Sequence, residues 1–186
     1  MKRFSSGSAF RIKGRKSYGL RGWKGKPAHP PLTDIPVAAY VIAPVLDAIA
    51  FFGREYAWAP SFSRAAGYVF VGGAAVSLLT ALTGFLDWRD TERGTQVRRM
   101  ANAHALTMVT VTLLVLANIG VRYFVEGAGR TTGLLLGLSI AIGALVVAGA
   151  TIGGSLVYDY GFNVATAKDH PAYHPDAEAE NLRRTG

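Results

Sequence analysis

The chain has 186 residues, 50% of them hydrophobic and only 17% charged, with a formal net charge of +8. A composition this apolar excludes an ordinary water-soluble domain. The absence of cysteine excludes disulfides, iron–sulfur clusters, thiolate zinc sites and thiol nucleophiles together.

Residues 1–27 form the first segment. Nine of the 20 Lys and Arg precede Pro27, in a stretch rich in Gly and Ser and without apolar periodicity. The segment is predicted to be a flexible basic arm. It has no apolar core followed by a small-residue cleavage site, so it is expected to stay attached and not to act as a secretory signal.

Four apolar runs follow, at 35–52, 66–86, 103–124 and 132–158. Each approaches or exceeds the ~20 residues that carry a helix across a hydrocarbon core of about 30 Å. Inside lipid the backbone amides must be satisfied within their own segment, so helix is predicted even for the Val- and Thr-rich third run. The connections at 53–65, 87–102 and 125–131 are short, which predicts an up-down-up-down bundle over 28–164. A polar tail, 165–186, closes the chain. It carries His170 and His174, each followed by a proline that argues against a regular helix and hence against a metal pair.

The basic residues give the orientation. With both termini on the cytoplasmic side, 16 of the 20 Lys and Arg lie inside, and only Arg54, Arg64, Arg122 and Arg130 lie outside. The expected location is therefore a bacterial inner membrane, multi-pass, with N-in and C-in topology. The basic arm is expected to meet anionic lipid headgroups, at about 1 kcal/mol per close basic residue, and not nucleic acid.

In this topology the unusual polar residues gather at the inner helix ends: His29 and Asp34 before the first helix, Asp87 and Asp90 after the second, His104 opening the third, and Tyr158, Asp159 and Tyr160 closing the fourth. His29 and His104 are the candidate ligands for a haem or metal, since helical bundles bind cofactors between facing helices. Asp34, Asp47, Asp87 and Tyr158 make up the accompanying polar cluster. Asp34 also reads as a helix cap ahead of Pro36. Asp47 lies deep in the first apolar run, where a carboxylate is costly and usually faces the bundle interior with a partner; a first helix that begins late would carry it to the outer headgroups instead. Asn118 is expected to hydrogen-bond inside the bundle. Gly72, Gly73, Gly84, Gly149 and Gly153 are read as close-packing positions. Tyr56, Trp58, Tyr123 and Trp88 are read as an interfacial aromatic belt.

Four ordered motifs carry a resemblance. They are HPPLTDIP at 29–36 with Asp47 beyond it, TGFLDW at 83–88, NAHA at 102–105 and GGSLVYDYG at 153–161. Over 27–164 the chain resembles the bacterial membrane family called domain of unknown function 2231. The family has no settled activity, but in some proteins related domains are fused to Rieske iron–sulfur or cytochrome modules, so the resemblance implies redox work near the membrane. Tyr160 stands where many relatives have a histidine, which removes one potential ligand.

Three functions follow as expectations. The first is an accessory or structural subunit of a larger redox or respiratory membrane assembly, docked to a membrane partner or to further copies of itself. It is favoured because the sequence has no nucleophile–base arrangement or phosphate loop. The second is a haem b or metal protein using His29 and His104. The third is a small transporter or proton relay using Asp47, Asp87 and His104. Enzymatic activity is not expected.

Overall fold

The computed structural model describes residues 11–12, 15–16, 22–23 and 26–163, and His170 and His174 lie outside that set. Ahead of the helices, Arg11–Ile12 pairs antiparallel with Arg15–Lys16, and Gly22–Trp23 pairs with Lys26–Pro27. Four helices follow: α1 at His29–Phe52, α2 at Ala59–Arg89, α3 at Gln96–Val121 and α4 at Gly133–Tyr158. A π-helical turn, Arg122–Glu126, continues α3 to Gly127, whose φ of +82° ends it. All four helices are long and apolar enough to span a membrane.

Several helices are longer than the apolar runs, and the extra residues follow helix-terminus chemistry. Prolines occupy the first positions of α1, where a missing amide costs nothing, so the helix starts at His29 and not at Ile35. Asp34 is therefore no cap. It sits inside the helix on its exposed face. Pro60 does the same for α2, which starts at Ala59 and not at Ala66. The second connection shrinks because the Thr95 hydroxyl accepts from the Arg98 amide at 3.2 Å and so fixes the start of α3. Thr132 caps α4 in the same way through the Leu135 amide.

Short links force neighbouring helices to run antiparallel. α1 packs on α2 and α4, α3 packs on α4, and the α2–α3 seam is the loosest of the ring. α1 and α3 therefore run parallel on one diagonal. The centre is filled by Ala39, Tyr40, Ala43, Phe70, Val111, Val115, Ile142 and Val146. Leu78, Leu106, Leu113 and Ile140 point outward and are well exposed, as expected of a surface solvated by lipid tails. With no hydrophobic force between helices in lipid, close approach depends on small residues. At Gly73 a Cβ would lie 2.8 Å from both Ala39 Cβ and Tyr40 Cε1, so α1 rests on bare backbone there.

Candidate functional site

Buried and half-buried polar side chains form two layers, one near each end of the bundle. The first lies where α1 and α3 begin and α2 and α4 finish. His29 and His104 face each other there, with ring centroids 6.4 Å apart and planes at 82°. His29 Nδ1 lies 3.0 Å from the Thr80 carbonyl oxygen and 3.3 Å from Thr83 Oγ1. His104 Nδ1 lies 2.9 Å from the Gly149 carbonyl oxygen. A carbonyl oxygen only accepts, so each ring donates from Nδ1, and in the neutral ring Nε2 keeps a lone pair.

Around the two rings is a cavity of about 510 Å³, drawn from all four helices. Val37, Met108, Val146 and Leu156 give it a mostly apolar wall, and Tyr40, Asp87 and Trp88 also line it. Arg98 holds Trp88 in place. Its guanidinium lies 3.7 Å over the Trp88 ring, and Nη1 donates to the Trp88 carbonyl at 2.8 Å and to Thr91 Oγ1 at 2.9 Å.

The second layer lies toward the hairpin end. Asp47 on α1 and Arg122 at the end of α3 form an ion pair with both side chains fully buried. Arg122 Nη2 lies 2.8 and 2.6 Å from the two carboxylate oxygens. Thr131 donates to Asp47 Oδ1 at 2.8 Å, and Ser139 donates to Oδ2. Arg122 Nη1 donates to the Ser63 carbonyl at 3.0 Å, and Nε donates to Asn118 Oδ1. Asn118 in turn donates to Ser139 Oγ at 3.1 Å. Every helix contributes to this layer, and the two charges neutralise each other in place.

The profile of the family described as "Predicted membrane protein (DUF2231)" matches residues 25–166. The chain belongs to this family. No curated protein and no solved structure matches it. As a DUF2231 member it is a multi-pass membrane protein of four apolar helices, and the family description carries no activity.

The residues singled out in this DUF2231 chain do not share one layer. His29, His104 and Asp87 line the same cavity. Asp47 lies 18 residues beyond His29, about 27 Å along α1, in the other layer. Asp34 is exposed, and Tyr158 is 87% exposed, so neither reaches the histidines. Arg122 does not belong with the surface arginines, because it is 0% exposed. A signal for it was present in the sequence: Arg122 follows His104 by the same 18 residues that separate His29 from Asp47. Eighteen residues are five full turns, so each parallel helix shows its histidine and its charge on one face.

Proposed function

We propose that this protein is a haem b-binding subunit of a membrane redox assembly, in which His29 and His104 would hold the haem iron. The observation that carries the reading is the imidazole pair itself. A metal–nitrogen bond of about 2 Å plus the ring's own radius puts two imidazoles on opposite sides of one metal about 6 Å apart, centre to centre. The two rings already stand at 6.4 Å, with both Nδ1 atoms tied to backbone carbonyls. That outer hydrogen bond sets the tautomer and raises the basicity of a ligating histidine.

The donor set favours haem over a bare ion. Iron in a porphyrin needs only axial ligands from the protein, whereas a protein-bound zinc draws on three or four side chains. Among the described residues no group of three or more His, Cys, Asp or Glu stands together to hold such an ion. A mostly apolar cavity of about 510 Å³ falls within the range of cofactor sites, roughly 300 to 1,000 Å³. Bound haem supplies one-electron chemistry. The protein would supply the ligands, an apolar wall and a position near one membrane surface, and a separate redox partner would exchange the electron.

Positive-inside bias supports placing this cavity on the cytoplasmic face of a bacterial inner membrane, with the basic arm against anionic lipid. The apolar group Ala43, Phe70, Val111, Val115, Ile142 and Val146 fills the bundle between the two polar layers, which leaves the transport reading without a supporting observation. The test is an absorption spectrum of protein purified from haem-replete cells. A Soret band with sharp α and β bands on reduction is expected, lost in His29→Ala and in His104→Ala. A colourless wild-type protein overturns the reading.

A further inference from the structure

His29 and His104 are seated by the same device on two different helices. Thr80 offers its carbonyl to His29, and Gly149 offers its carbonyl to His104. Four residues beyond each accepting carbonyl stands a glycine, Gly84 on α2 and Gly153 on α4. In an α-helix the carbonyl of residue i bonds the amide of residue i+4, and the side chain at i+4 lies over that turn. At these two positions there is no such side chain, and an imidazole takes its place. A Cβ on Gly84 would lie 2.7 Å from His29 Cε1 and 3.1 Å from Nδ1. A Cβ on Gly153 would lie 3.0 Å from His104 Cε1 and 3.2 Å from Nδ1. Each glycine therefore uncovers the second lone pair of a helix carbonyl and lets a ring lie flat against the backbone.

From these two seats we infer that Gly84 and Gly153 are positioning residues that hold the axial imidazoles crossed, so that the protein binds haem with near-perpendicular ligand planes. The inference rests on the haem reading above and adds the geometry of the centre. The seats lie on α2 and α4, while the histidines come from the diagonal pair α1 and α3, and the rings meet at 82°. Crossed axial planes leave the two iron d orbitals that bond to them nearly equal in energy, whereas parallel planes split them. A ferric low-spin haem with crossed ligands consequently shows a highly anisotropic paramagnetic resonance signal dominated by one low-field feature, in place of a three-line rhombic signal.

The test is electron paramagnetic resonance on the oxidised, haem-loaded full chain, compared with its Gly84→Ala and Gly153→Ala variants. Gly72→Ala and Gly137→Ala serve as controls on the same two helices, because a Cβ at either position meets nothing within 4 Å. The wild type and both controls are expected to show the anisotropic signal. Gly84→Ala is expected to convert it to a rhombic or high-spin signal, and Gly153→Ala to do so less completely, following the closer approach at Gly84. A rhombic wild-type signal overturns the inference and leaves the haem reading standing. So does a spectrum unchanged in both Gly84→Ala and Gly153→Ala. Wild-type protein without haem overturns both. The wild-type spectrum alone is decisive if either variant fails to fold.

Discussion

Asp47 and Arg122 are 75 residues apart in the chain, yet Arg122 Nη2 lies 2.6 Å from Asp47 Oδ2 with neither side chain exposed. Two charges in an apolar bundle are tolerated because each is matched by the other and by hydroxyls and an amide from Ser63, Thr131, Ser139 and Asn118. The pair joins α1 to α3 across the diagonal and draws α2 and α4 into the same network.

Removing one member of this pair leaves the other as an uncompensated buried charge, at a cost of about 3–5 kcal/mol. Asp47→Asn and Arg122→Gln are each expected to lower the thermal midpoint of the detergent-solubilised protein sharply. The double variant Asp47→Leu/Arg122→Met, which buries no charge, is expected to recover most of the loss. Thermal denaturation followed by circular dichroism makes the comparison, and a single variant as stable as the wild type would refute the assignment.

Gly72 and Gly73 are adjacent in sequence but face opposite environments. A Cβ at Gly73 would lie 2.8 Å from Ala39 Cβ, whereas one at Gly72 meets nothing within 4 Å. Gly73→Val is expected to push α1 from α2 and destabilise by about 1–3 kcal/mol, the usual cost of overpacking. Gly72→Val should be nearly silent. Equal midpoints for the two variants in the same thermal assay would show that the α1–α2 contact is not as close as described.

The chain contains no cysteine, so a single introduced thiol reports topology without background. Glu55 is exposed at the hairpin end, and Glu92 is exposed at the opposite end. With the cytoplasmic orientation proposed above, a membrane-impermeant maleimide added to spheroplasts is expected to label Glu55→Cys and to spare Glu92→Cys until the membrane is opened. The reverse pattern would invert the protein in the membrane.

How much could be read in advance differs from feature to feature. The number of helices and the class of fold were legible, because spanning length and hydropathy are properties of contiguous residues. Their ends were less so. Prolines at the starts of α1 and α2 extend them through residues that look like connections, and this removes Asp34 from its capping role. His29 and His104 were legible as residues near helix ends, but nothing in one sequence says that their rings meet.

Local sequence thus determined four apolar helices, their alternating directions and the end at which the imidazoles lie, since each follows from length, patterning and short links. Tertiary structure alone decided the partners. It placed Arg122, read from the sequence as an outer-surface arginine, inside the bundle against Asp47, and it seated each histidine on a carbonyl that a distant glycine leaves bare. The reason is physical. A side chain's hydropathy belongs to the residue itself, whereas its counter-charge, its hydrogen-bond acceptor and the space it fills belong to helices that approach it only after the chain has crossed the membrane and returned.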